Sequence, residues 1–237
     1  MVNTNQIVTV LVGSAFLIIG TALWYNYQQG SSASQVLNTQ NGEITSPRTP
    51  EAQQTYQAQI TTMDNPIARF TTKYGQIDIE LFADQMPITV DNFVSLAQDG
   101  FYDNTKFHRV IPGFMIQGGD PNTRDEDASL YGTGGPGYTI QDEFIAGELL
   151  TNVRGTIAMA NTGQPNSGGS QFFINVADNT NLDYDKPPLT SQHPVFGRVI
   201  AGMEIVDEIE IVPTGARDIP LEPVVIESVQ ILTSEDL

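Results

Sequence analysis

The 237-residue chain contains no cysteine, two histidines, one tryptophan and ten basic residues against 28 acidic ones. Each scarcity removes a class of chemistry. Without cysteine there is no disulfide framework, no thiolate nucleophile and no sulfur-ligated zinc or iron–sulfur site. The histidines, His108 and His193, lie far apart and share no H-x-x-x-H spacing, which leaves metal chemistry to carboxylates alone. A formal charge of −18 repels the phosphate backbone, so nucleic acid is not an expected partner. Charged residues are nevertheless only 16% of the chain and apolar ones 40%, a composition that folds.

Basic residues are also missing from everything before Arg48. Within that stretch, residues 7–25 are 19 consecutive uncharged positions, close to the ~20 a helix needs to cross a bilayer. Trp24, Tyr25 and Tyr27 gather at its end, where amphipathic rings favour the headgroup region. The expected organisation is a short tail (1–6), a transmembrane helix (7–25), a flexible polar linker (26–63) and one folded domain (64–237). A cleaved signal peptide, processed near Ser31-Ser32-Ala33 to release a secreted protein, is the competing reading. The length of the apolar run and the lack of Lys or Arg in residues 1–6 count against it. With no basic residue between Trp24 and Pro47, the domain is expected on the extracytoplasmic side of the membrane. The linker is rich in Gln, Ser, Thr and Asn, and its span is roughly 30–35 Å if it behaves as a random coil. A short helix over residues 51–60 is the alternative there.

From Ile67 the apolar pattern turns dense and mostly two-periodic. Residues 67–72 and 76–81 flank Lys73-Tyr74-Gly75 as a hairpin. Pro87 opens a helix with Val90, Phe93, Val94 and Ala97 on one face, and Gly100 stops it. Short apolar runs then recur to Leu232 with Gly and Pro between them, which indicates a mainly β sandwich or barrel.

The usual catalytic templates fail in turn. Residues 132–137 spell G-x-G-x-x-G, but no strand precedes them and no good helix follows. Ser170 is not in a nucleophile elbow. Asp120, Asp125, Glu126 and Asp127 miss the EF-hand spacing and read as a solvated loop. Asp142 and Glu143, adjacent on an extended segment, point to opposite faces and read as surface residues.

What remains is concentrated in residues 107–120, FHRVIPGFMIQGGD, where Arg109 stands among apolar neighbours. Read alone, such an Arg is most often a structural ion-pair partner. The whole string, however, closely resembles the cyclophilin family of peptidyl-prolyl cis-trans isomerases. So do Met159-Ala160-Asn161, leading into Asn166-Ser167-Gly168-Gly169-Ser170-Gln171-Phe172-Phe173-Ile174, and His193-Pro194-Val195-Phe196-Gly197-Arg198-Val199. Three ordered motifs spanning about residues 65–232 make the resemblance specific.

The resemblance implies a closed eight-stranded antiparallel β-barrel capped by two helices, the second over 203–209. It implies rotation about X-Pro bonds in peptides and in unfolded or newly exported proteins, with no cofactor. A proline-binding chaperone or scaffold with incidental isomerase activity is the second reading, and a monomer is expected. By their places in the motifs, Arg109 and Gln117 are the catalytic residues, with Gln117 orienting Arg109 and the substrate. Phe114, Met115, Phe173 and Leu182 form the proline socket with His193 on its wall, while Asn161 and Gln171 line the groove. Phe172 is assigned to the core because it alternates with Phe173, and His108 to a structural hydrogen-bonding role. Where many family members carry Trp before Leu-Asp, this chain has Asn181, which implies weak binding of cyclosporin. Gln164 and residues 184–192 look like insertions, leaving peptide preference open.

Overall fold

A computed structural model describes residues 65–187 and 192–233. The apolar segment 7–25 and the linker lie outside them, and among the described residues no helix is long and apolar enough to cross a membrane.

The hairpin forms as the alternation predicts. Strands β1 (Ile67–Thr72) and β2 (Gly75–Leu81) pair antiparallel from Ile67↔Glu80 to Thr72↔Gly75. Ala68, Phe70, Ile77, Ile79 and Leu81 all face the core. Helix α1 (Pro87–Gln98) follows, and then come β3 (Thr105–Lys106), β4 (Arg109–Ile111), β5 (Met115–Gly118), β6 (Thr156–Met159), β7 (Phe172–Asn175) and β8 (Val195–Ala201). Helix α2 (Met203–Glu210) and β9 (Val225–Leu232) complete the order. Gly202, left-handed at φ 81°, turns β8 into α2. A Cβ there would collide with the Gln76 carbonyl, so only glycine fits.

The sheet is a half-barrel of nine strands in the order β3-β9-β1-β2-β8-β6-β7-β5-β4, with two helices. This corrects the expectation of eight strands in a closed ladder. The terminal strands β3 and β4 are consecutive in the chain, separated only by Phe107 and His108. Phe107 N–H donates to the Val224 carbonyl beside β9, whereas His108 N–H donates to Gln117 on β5. One extended run thus changes partner in its middle, and the two ends of the sheet are joined by covalent chain. Inside, Phe172 meets the rings of Phe70, Phe93, Tyr102 and Phe107 at 5.5–6.3 Å, each edge to face. Its assignment to the core holds.

Glu143 departs from its surface reading and is buried at 9% exposure. The first N–H groups of a helix have no partner within it, and Met86 at the N-cap of α1 supplies no side-chain acceptor. Glu143 fills that need from a distant loop. Its oxygens accept from Ile88 N–H at 3.0 Å, Thr89 N–H at 2.6 Å and Thr89 Oγ1 at 2.7 Å. Adjacent Asp142 instead exchanges hydrogen bonds with Asn166 at the surface. Replacing Glu143 by Ala leaves buried donors unpaired, and urea unfolding should show a loss of about 1–3 kcal/mol. An unchanged midpoint and slope would refute the capping role.

Candidate active site

Register assembles the site. Arg109 on β4 lies opposite Gln117 on β5, Gln117 opposite Phe173 on β7, and Phe173 opposite Ala158 on β6. Val110, Ile116, Phe172 and Ile174 alternate with these residues and are completely buried. Because strand side chains alternate between faces, the Arg109–Gln117–Phe173 row occupies the face opposite that core. A second row, Ile111–Met115–Asn175, runs beside it.

Phe173 packs edge to face on His193, with ring centroids 5.3 Å apart. His193 Nδ1 lies 2.9 Å from the Met159 carbonyl, which can only accept, so Nδ1 carries the proton. His193 N–H also donates to the Leu182 carbonyl at 3.0 Å, bringing Leu182 to the same wall. Met115 and Leu182 are buried, and Phe114 is half-buried against the core.

The amides of Gln117 and Gln171 have a fixed polarity. Gln171 Nε2 donates to the Gly134 carbonyl at 2.8 Å, which turns its Oε1 to accept from Gln117 Nε2 at 3.0 Å. Gln117 therefore bonds Gln171 rather than Arg109, and its own Oε1 has no partner among the described residues. Behind them stands Asp120, fully buried rather than solvated. It accepts from the N–H groups of Asn122, Gly132 and Gly134. A Cβ on Gly134 would collide with the Asp120 carboxylate, so glycine at this position lets the backbone approach an acid.

Asn161 is committed at the rim. Its Nδ2 donates to the Gln192 carbonyl at 2.6 Å and its Oδ1 accepts from Gly163 N–H at 3.0 Å. Any contact with an extended peptide falls to its backbone.

Sequence reasoning missed the polar layer that ties Phe114, Leu182 and His193 together. Asn175, fully buried, donates to Asn152 Oδ1 at 3.1 Å and Thr156 Oγ1 at 3.0 Å, and accepts from Asn179 Nδ2 at 2.7 Å. Asn179 also donates to the Phe114 carbonyl, and Asn152 to the His193 carbonyl and to Asp183 Oδ1. Three wall residues, Phe114, Leu182 through its bond to the Asn179 carbonyl, and His193, are thereby tied to one buried network. The signal was an Asn in phase with Phe173 on an otherwise apolar strand. Among the described residues no group of three or more His, Asp or Glu is gathered where a metal ion could be held.

A family model described as cyclophilin type peptidyl-prolyl cis-trans isomerase/CLD matches residues 67–231. The chain belongs to the cyclophilin family. It is a peptidyl-prolyl cis-trans isomerase. Over 171 residues it is 44% identical to a peptidyl-prolyl cis-trans isomerase of Acinetobacter baylyi, covering 70% of this chain and 86% of that protein. Peptidyl-prolyl cis-trans isomerase B of Escherichia coli is 44% identical over 169 residues, covering 68% and 97%. Among solved structures, a cyclophilin type isomerase of Cryptosporidium parvum, crystallised in the presence of the dipeptide Ala-Pro, is similar with a TM-score of 0.60. It is 34% identical, with 71% of this chain and 99% of that one covered.

His108 does not hydrogen-bond through its ring as expected. It is 4% exposed, and among the described residues neither ring nitrogen has a partner of good hydrogen-bond geometry, the Lys106 backbone acting on the ring only weakly. Burial lowers its pKa below the usual histidine value, with the Asp120 carboxylate opposing. Burial also lowers that of His193, against the bond to Met159. Below the unfolded value of about 6.5, the unfolded chain gains protons that the folded one does not accept. Stability therefore falls as pH drops from that value toward the folded pKa values, and neither ring affects it above. Melting curves between pH 7 and pH 5 should show this decline, and a His108→Gln, His193→Gln double variant should lose that part of the slope. An unaltered slope would assign the decline to other groups.

Proposed function

We propose that Arg109 stabilises the twisted amide of a prolyl peptide held in the pocket of Phe114, Met115, Phe173, Leu182 and His193. The supporting observation is the row that sets Arg109 and Gln117 beside Phe173 on one face. Rotation about the X-Pro bond faces a barrier of ~18–20 kcal/mol because resonance gives the C–N bond double-bond character. No bond to the substrate forms or breaks, so neither a nucleophile nor a general base is required. As the bond twists, the prolyl nitrogen regains its lone pair, and a fixed donor near it or near the carbonyl oxygen favours that state over the planar one. An acceleration of ~10⁵ asks for only ~7 kcal/mol of such preference. A guanidinium keeps its charge at physiological pH and offers donors in a rigid fork. The apolar pocket holds the ring while the preceding residue turns, Gln117 offers Oε1 as an acceptor, and Gln171 and the Asn161 backbone line the groove.

The test is exchange of an Ala-Pro peptide followed by NMR with the full chain in detergent and its Arg109→Ala variant. The variant should be slower by about 10²–10³, the scale for losing one transition-state donor. Equal rates with peptide binding retained would favour a proline-binding chaperone or scaffold. The Asn181 departure also leads us to expect weak cyclosporin binding.

The cellular setting is part of the same proposal. Residues 7–25 anchor the protein in a membrane, and residues 26–63 tether a monomeric domain on the extracytoplasmic side, where newly exported proteins are its clients. The uncharged run and the absence of basic residues between Trp24 and Pro47 support this. Protease added to spheroplasts should cut the tether and release the domain. Protection that persists until lysis would refute the orientation, and a soluble chain beginning after residue 33 would refute the anchor.

A further inference from the structure

Arg109 has a neighbour that no motif linked to it. Its Nε lies 3.5 Å from Asp218 Oδ2, with the two side chains 41% and 46% exposed. Asp218 closes a short 3₁₀ turn (Ala216–Asp218) in the connection from α2 to β9. That connection is a tight loop, in which Gly215 N–H donates to Ile219 at 2.8 Å, Leu221 N–H donates to Pro213 at 2.9 Å, and Thr214 bridges Pro220. At its tip Arg217 and Asp218 both adopt φ of 60°, a left-handed conformation disfavoured for residues with a Cβ. Adjacent opposite charges hold this tip on two sides. The Arg217 guanidinium donates to the carbonyls of Ala128 and Ser129, while the Asp218 carboxylate faces Arg109.

An exposed ion pair contributes little to stability, so the effect to look for is on orientation. Strand β4 is the last in the sheet and has no neighbour beyond it. Gln117, the partner of Arg109 in register, donates to Gln171. Asp218 is thus the one polar partner of the Arg109 side chain among the described residues. A long, flexible side chain with no partner loses rotamer freedom whenever it must act. A carboxylate on the Nε edge restricts it beforehand and leaves the terminal amino groups of the fork for the substrate.

We propose that Asp218 is a positioning residue for the isomerase reaction, holding Arg109 in the orientation from which its terminal amino groups reach the twisted amide. The proposal rests on the reading of Arg109 given above. Orientation and simple charge predict opposite signs. If only charge mattered, removing the anion would leave a more positive guanidinium and a faster enzyme. If orientation matters, the enzyme slows.

The experiment compares the full chain in detergent with its Asp218→Ala, Asp218→Glu and Arg109→Ala variants, using Ala-Pro peptide exchange for kcat and KM. Asp218→Ala should lower kcat by about tenfold with KM within about twofold, the pattern of an interaction realised in the transition state. Asp218→Glu should recover part of that loss. The Arg109 Nε–H NMR signal should exchange with water faster in Asp218→Ala, a change that general loosening of the fold would not confine to this one arginine. Unchanged or raised kcat in Asp218→Ala overturns the proposal, as does a lower kcat with the Nε–H signal unaltered. Should Arg109→Ala retain the wild-type rate, the reading of Arg109 itself fails. A slow Arg109→Ala beside a fully active Asp218→Ala removes only Asp218.

Discussion

Side-chain alternation across β4, β5 and β7 is the constraint on which the site depends. A strand has two faces, and here they carry different residues: one carries Val110, Ile116, Ile174 and Phe172 into the core, and the other carries the row of Arg109, Gln117 and Phe173. A one-residue slip exchanges a strand's faces: on β4 it would bury the Arg109 guanidinium and expose Val110, on β5 bury the Gln117 amide and expose Ile116, and on β7 expose Phe172 and Ile174. The cost of burying an unpaired charge is large, so the apolar core and the polar row enforce each other. Stability and function in this region are therefore two consequences of one register.

Support for that row comes from acids and amides that reach it over long distances in sequence. Asp120 fixes the glycine loop whose Gly134 carbonyl sets the polarity of Gln171 and then of Gln117. Asn175 and its partners anchor the backbone of Phe114 and His193. Glu143 fixes the start of α1. Buried polar groups of this kind are costly unless satisfied and rigid when they are. The −18 charge is thus not uniformly a solvated surface. Some of its carboxylates are fixed acceptors that hold loops in place.

That division explains what could be read from the sequence and what could not. The hairpin at Lys73-Tyr74, the helix opened by Pro87 and the separate fates of Phe172 and Phe173 follow from local periodicity, which acts within a few residues. Arg109, Gln117 and Phe173 stood out through ordered motifs, and the folded chain places them side by side. Asp120, Glu143 and Asp218 were passed over because a carboxylate in a polar loop looks the same whether it meets water or a distant N–H group. Their partners lie in other elements, so only the tertiary fold distinguishes the cases. The strand count was mistaken for a related reason. Nothing in the letters of Phe107-His108 shows that an extended run there exchanges β9 for β5.

This exchange of partners also sets an order of events during synthesis. Strand β3 finds its partner only in β9, which is also the second neighbour of β1. A ribosome that has released everything through α2 has made β4, β5, β6, β7 and β8, yet β1 still has an open edge and β3 has nothing to pair with. The final segment, Val225–Leu232, supplies both missing ladders at once. Completion of the sheet is therefore a late, long-range step that waits for the last strand of the domain. A peptidyl-prolyl isomerase thus carries in its own topology a step that cannot begin until β9 has emerged.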